Sequence, residues 1–284
     1  MKNALVGLGN ALKERARRGE ASLGSFLLSG NSLMAEALAT VPGLHWMLVD
    51  MEASHASKED LLHILQALNA YDVFPLVRVG EASKHLVESC LDFGARGVMV
   101  PKVETPEQAS AVADACFYPP KGRRGINCIR ASAYYSKAAE YLKGANEAIL
   151  SIAQIESRES VENVEELAAV PALDVLFVGP GDLAASYGQM GYVDGRRMEE
   201  ARRRVVEACR KHDKIPGIFA HSVESTRQYL DEGFLMVGIG NDVKFLTQGL
   251  GASLRQIGPP IPREAAQEFP QRNGSSREAH HVEA

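Results

Sequence analysis

Two carboxylates, Glu156 in Gln154-Ile155-Glu156-Ser157-Arg158-Glu159 and Asp182 in Val178-Gly179-Pro180-Gly181-Asp182-Leu183, each follow a short apolar run. They stand 26 positions apart, about one strand-loop-helix-loop repeat. If both runs are parallel strands of one barrel, the acids share the rim formed by the strand C-termini and can hold one divalent cation. Oxygen-only ligation suits Mg²⁺ or Mn²⁺, and two carboxylates leave positions open for water and substrate. Taken singly, each acid could instead cap the helix that follows. The pair, with Gly179-Pro180-Gly181 bringing backbone close to a ligand, favours the cation.

Other chemistry-bearing groups end other apolar runs. Asp50 and Glu52 stand in Leu48-Val49-Asp50-Met51-Glu52-Ala53-Ser54-His55, Arg78 ends Pro75-Leu76-Val77-Arg78, and Lys102 follows Val100-Pro101. A guanidinium at the end of a buried strand is costly without an anionic partner. Arg78 therefore either pairs with Asp50 or Glu52, or binds a substrate carboxylate or enolate oxygen, and both roles can hold together. Lys102 could form a Schiff base with a carbonyl substrate, but nearby acids favour a charged, structural role. His55 is a candidate general base on the loop after its run, with solvent exposure as the alternative. His221, in Phe219-Ala220-His221-Ser222, falls on the same rim, whereas His45 precedes its run and reads as structural.

The elements that must position these groups recur along the whole chain. Apolar runs at residues 23–28, 46–50, 74–78, 97–100, 148–155, 174–178, 215–219 and 235–239 read as strands covered on both faces. Between them lie helical patterns, such as Leu61, Leu62, Ile64 and Leu65, or Leu86, Val87, Cys90 and Leu91. This alternation predicts a parallel α/β architecture, and eight strands predict closure into a barrel. A (β/α)₈ barrel typically takes about 250 residues. The 284 residues then make one barrel plus a tail. From Tyr118-Pro119-Pro120 to about Asn146 the connection is longer than an ordinary β/α loop, which marks it as functional or interface-forming.

The balance of 31 basic and 36 acidic residues gives a net charge of −5 and indicates no nucleic-acid surface. Short basic clusters such as Arg202-Arg203-Arg204 read as solvated faces. Cys90, Cys116, Cys128 and Cys209 are widely spaced, without zinc-site spacing, so free thiols in a reducing compartment are expected. Neither a signal peptide nor a membrane span is read, and the expected location is the cytoplasm. Residues 259–284 are polar and read as a disordered tail in which His280 and His281 are bystanders.

Five segments carry a further likeness: Leu48-Val49-Asp50-Met51-Glu52, Pro75-Leu76-Val77-Arg78, Tyr118-Pro119-Pro120 with Arg124-Gly125, and the two acid-bearing motifs. Together they resemble the class II, metal-dependent pyruvate aldolases of the HpcH/HpaI family, of the 4-hydroxy-2-oxoheptanedioate aldolase type, which includes macrophomate synthase. The similarity runs from about residue 11 to residue 250. It implies a TIM barrel of the phosphoenolpyruvate/pyruvate-domain type over residues 1–258, with a terminal helix exchanged in a dimer and a hexamer built from such dimers. It implies that Glu156 and Asp182 bind Mg²⁺ or Mn²⁺, with Co²⁺ a further candidate, and that a small 2-oxo acid is chelated there. Arg78 would stabilise the enolate oxygen. Gln154 would line the metal site, and backbone amides around Gly181 and Asp182 would seat the substrate carboxylate. Phe219, ending the seventh run, is counted with these substrate-binding residues. Asp50 and His55 join Arg78 as catalytic candidates, as does Asp92 in Leu91-Asp92-Phe93-Gly94, which matches an acid that reaches a neighbouring subunit's site.

One departure bears on the reaction. Family members carry His where this chain has Ala53, and that His works as the base on the aldol hydroxyl. Alanine cannot move a proton, and His55 lies two residues further on, several ångströms along the chain. The loop from Arg124 to Arg130 is also shorter than in the family. The expected activity is a metal-dependent lyase cleaving 4-hydroxy-2-oxo acids to pyruvate and an aldehyde. Decarboxylation of oxaloacetate, with or without capture of the enolate, is the alternative, since it needs no base on a hydroxyl. A silent paralogue that keeps the scaffold is the third reading.

Overall fold

A computed structural model describes residues 10–258. The expected tail at 259–284, with His280 and His281, lies outside the described residues. Eight parallel strands close into one barrel in chain order: β1 (Ser22–Leu27), β2 (Trp46–Asp50), β3 (Phe74–Arg78), β4 (Gly97–Val100), β5 (Leu150–Ile155), β6 (Val175–Val178), β7 (Ile215–Phe219) and β8 (Met236–Asn241), with β8 returning to β1. The helices are α1 (Ala11–Arg17), α2 (Ser32–Ala39), α3 (Lys58–Leu68), α4 (Lys84–Asp92), α5 (Pro106–Cys116) and α6 (Ala138–Ala148). They continue with α7 (Arg158–Glu162), α8 (Val164–Ala168), α9 (Pro180–Ser186), α10 (Arg196–Lys211), α11 (Val223–Asp231) and α12 (Asp242–Ile257). The fold is a (β/α)₈ TIM barrel.

Successive side chains on a strand point to opposite faces, so the strands feed two cores. Met47, Val49, Val77, Val98, Ala153, Leu176 and Val178 face outward and pack with the helices. Trp46, Leu48, Phe74, Leu76, Met99, Leu150, Ile152, Val175 and Phe177 face inward, and Leu12 of α1 packs with this inner cluster. Bulky inward residues need small neighbours. A side chain on Gly24 would place its Cβ 1.9 Å from the Trp46 ring, and one on Gly217 would sit 2.5 Å from the Phe177 ring. This large-against-small arrangement fills the interior to native density.

Several boundaries differ from the sequence expectation. β5 begins at Leu150 rather than 148 because α6 runs through Ala148 before it. β1 and β6 are each offset by a residue, and β8 extends to Asn241. The long connection after Tyr118 is irregular only to residue 137, after which α6 buries Tyr141, Ala145 and Ala148 at helical spacing. The described chain divides into two units, one up to Phe245 and one from Leu246. The barrel lies within the first. The second opens with the remainder of α12, which repeats Leu246, Leu250, Leu254 and Ile257 at helical spacing. Among the described residues no helix is long and apolar enough to cross a membrane.

Candidate active site

The inward alternation of the strands continues to the rim. After Trp46 and Leu48 comes Asp50, after Phe74 and Leu76 comes Arg78, and after Ile152 comes Gln154. The apolar filling therefore ends in a polar layer at the strand C-termini. Asp50 and Arg78 are direct register partners. Arg78 Nε donates to Asp50 Oδ1 at 3.0 Å and Nη2 to Oδ2 at 2.5 Å, a bidentate pair. Arg78 Nη1 reaches Glu52 Oε2 at 2.9 Å and Gln154 Oε1 at 3.4 Å. Asp50 is fully buried, and its Oδ1 also accepts the backbone N–H groups of Glu52 (3.0 Å) and Ala53 (3.1 Å). Burial opposes the Arg78 charge, but Asp50, with Glu52, outweighs it and raises the guanidinium pKa. Both alternatives set out for Arg78 are thus compatible: it is paired, and it still lines the mouth.

Neither Glu156 nor Asp182 is a helix N-cap. Ser157 caps α7, and Gly179 occupies the cap position of α9 without a side-chain bond. Glu156 is buried, receives the Lys102 backbone N–H at 2.9 Å and takes a short hydrogen bond from Gln154 Nε2. Lys102 adopts a left-handed φ of 54°, which turns that N–H toward the carboxylate. Burial, with the Asp182 and Glu52 carboxylates adding repulsion, pushes the Glu156 carboxyl up to about 7. Glu52 is likewise raised by burial, and Asp50 and Asp182 push the same way. Gly179 admits no side chain, since a Cβ there would lie 2.8 Å from both Gln154 Nε2 and Glu156 Oε2.

Carboxylates crowded at one rim, two of them, Glu52 and Glu156, with raised pKa, form a cluster whose repulsion a cation would relieve, so the donor set fits a divalent metal. Among the described residues no three His, Cys, Asp or Glu side chains form a metal-holding group by themselves. Glu156 and Asp182 would be the protein's two ligands, leaving the remaining positions to substrate and water.

A cavity of about 200 Å³ opens at the mouth. It brings together Asp50, Arg78, Gln154, Gly181, Asp182 and Phe219 from the expected set. Glu156 lies just beneath, hydrogen-bonded to Gln154. Ala53, where the family's His would stand, also lines the cavity, and so does His221. His55 is exposed and is absent from the lining. Asp92 lies elsewhere, at the end of α4, and pairs with buried Arg124 at 2.6 Å. Burial raises its pKa against the pull of Arg124. Sequence reading missed Phe26, Phe177 and Asn241, which complete the wall. Phe26 packs at 5.0 Å on Phe219 and 6.1 Å on Phe177, and the Arg78 guanidinium sits 5.6 Å from its ring. Period-two alternation from Gly24 points Phe26 inward, the one sequence signal for it.

Comparison with known proteins bears directly on this arrangement. The family model described as HpcH/HpaI aldolase/citrate lyase matches residues 22–248. A 2-keto-3-deoxy-L-rhamnonate aldolase of Salmonella typhimurium strain LT2 is 36% identical over 257 residues, covering 89% of this chain and 94% of that protein. An HpcH/HpaI aldolase/citrate lyase family protein of Burkholderia cenocepacia J2315 superposes with a TM-score of 0.84 at 36% identity, over 88% of this chain and all of that one. The citrate synthase SbnG gives a TM-score of 0.78 at 27% identity, over 89% of this chain and 97% of that one. Matched over nearly the whole of its barrel, the chain belongs to the HpcH/HpaI aldolase/citrate lyase family and is an enzyme of the aldolase kind, a carbon–carbon lyase.

Proposed function

We propose that the protein is a divalent-metal-dependent lyase that works through a pyruvate enolate, cleaving 4-hydroxy-2-oxo acids to pyruvate and an aldehyde. The observation that carries this reading is the junction of Arg78, Gln154 and Glu156 at one end of a cavity that also receives Asp182. A cation held by Glu156 and Asp182 would act as a Lewis acid on the 2-oxo acid. The chain's own residues do the rest. Arg78, fixed by Asp50 and Glu52, offers positive charge where the enolate oxygen develops, and its preorganisation lowers the cost of that charge. Gln154 bridges Arg78 and Glu156 and holds both in register. The N–H groups of Gly181 and Asp182 fall in the first turn of α9, where no intrahelical carbonyl meets them, and they suit a substrate carboxylate.

The substrate class follows from the site and from the relative's chemistry, since a 2-keto-3-deoxy sugar acid carries its hydroxyl on C4. A second reading, decarboxylation of oxaloacetate, draws on Ala53 lining the cavity while His55 does not. The test is purified protein with Mg²⁺, Mn²⁺ or Co²⁺, offered 2-keto-3-deoxy-L-rhamnonate, 4-hydroxy-2-oxopentanoate and oxaloacetate while pyruvate is followed. Metal-dependent pyruvate from a hydroxy acid supports the first reading. Pyruvate from oxaloacetate alone supports the second, and turnover insensitive to chelation sinks the metal assignment.

A further inference from the structure

An aldol cleavage needs a group that takes the proton of the substrate hydroxyl as the carbon–carbon bond breaks. Ala53 cannot do so, and His55 stands outside the cavity lining. Of the cavity's ionisable side chains, Asp50 is fully buried, committed to Arg78 through both oxygens and to two backbone N–H groups. Arg78 is a cation held by two acids, and Asp182 belongs with Glu156 to the acid pair read as the cation's ligands. Gln154 and Asn241 do not titrate. His221 is what remains.

Its placement suits the task. His221 stands two residues past the end of β7, and its ring packs edge-on against Phe219 at 5.1 Å with an interplanar angle of 76°. Phe219 is in turn set edge-on against Phe26 at 5.0 Å. This chain of aromatic contacts fixes the imidazole over the mouth without engaging its nitrogens. Among the described residues no hydrogen bond joins a His221 ring nitrogen to the protein, and the one bond at this residue runs from Lys244 Nζ to its carbonyl oxygen. The residue is exposed at the cavity mouth, and the charged groups facing it are Lys244 of α12 and Asp194; partial desolvation with Lys244 lowers its pKa against the pull of Asp194, which favours the neutral ring able to accept a proton. Ala53 and His221 thus line one cavity from β2 and β7, with β8 and β1 between them in the barrel.

We propose that His221 is the catalytic base of this enzyme, taking over from the β7 side the proton transfer that Ala53 cannot perform from the β2 side. The proposal rests on the aldol reading above. In the step, the C4 hydroxyl proton passes to the free imidazole nitrogen and the O–H bonding pair becomes the second C4–O bond of the aldehyde. The C3–C4 bonding pair moves into the C2–C3 bond, and the C2 carbonyl π pair moves onto the enolate oxygen that Arg78 faces. The imidazolium then returns its proton to C3, which gives pyruvate and the aldehyde with no oxidant or reductant consumed.

The experiment compares wild type with His221→Gln and His221→Ala on 4-hydroxy-2-oxopentanoate and on oxaloacetate, at saturating Mn²⁺, with thermal unfolding as a fold control. Loss of the base lowers kcat for cleavage on the order of 100-fold with KM changed little, and decarboxylation, which removes no hydroxyl proton, falls far less. Added imidazole restores part of the His221→Ala cleavage rate, which a packing role would not allow. Wild-type cleavage retained in both variants overturns the role of His221. So does an equal fall in both reactions, and so does loss of cleavage in His55→Ala with no loss in His221→Gln. Wild type that cleaves no hydroxy acid overturns the functional reading itself, and His221 with it.

Discussion

Asp50 is buried to the last oxygen and is tolerable there because Arg78 lies against both of them. Breaking such a pair from one side leaves an uncompensated charge. Arg78→Ala is expected to destabilise the barrel by roughly 3 kcal/mol, read from urea unfolding, and to remove pyruvate formation. Glu156 gives a pH dependence of a definite sign. Its folded pKa of about 7 exceeds the ordinary 4.5, so the folded state binds the proton more tightly than the unfolded chain. In chelator, its contribution is fully present below about pH 4.5 and is lost as pH rises to about 7. Urea midpoints measured across that window should fall, and Glu156→Gln should flatten the slope. Adding Mn²⁺ at pH 7 should restore stability in wild type by binding the folded state alone.

At the scale of elements, the turn from β6 into α9 is the tightest constraint on the site. Gly179 lets this turn pass over Glu156 and Gln154 at a distance no Cβ permits. Gly179→Ala should therefore push the acid and amide apart and lower kcat at least tenfold, with far-UV circular dichroism unchanged, since the strand and helix need nothing from that side chain. Most strands were legible because both faces are apolar, and the inward alternation that sets Asp50, Arg78 and Gln154 follows from period two alone. α6 was not legible as an element. Its apolar positions, Tyr141, Ala145 and Ala148, sit in a stretch rich in Lys, Glu and Asn, so the stripe is too weak to mark a helix by periodicity. The start of β5 moved with it.

For the whole molecule, barrel closure decides which strand ends share a cavity. Asp92 pairs with Arg124 away from the mouth, so within one chain it does not meet the substrate pocket. The family resemblance implies a role across a subunit boundary, in a hexamer built from three dimers that exchange a terminal helix. Sedimentation equilibrium should then give about six times the 30.8 kDa chain mass. Asp92→Asn should lower activity in that assembly, and a monomer that turns over at the full rate would remove Asp92 from the reaction.

The amino-acid sequence by itself determined the rhythm of eight covered strands, the inward parity of their ends and the acid pair at Glu156 and Asp182, because these depend on local periodicity and short motifs. Tertiary structure decided the company each residue keeps. It placed Ala53 in the cavity lining and left His55 out of it, although only two positions separate them, since a turn aims neighbouring side chains apart. It also brought Phe26, Phe177, Phe219 and His221, which span nearly 200 positions, onto one wall. No local pattern encodes that wall; it exists because β8 closes against β1 and sets β7 close to the first strands of the chain.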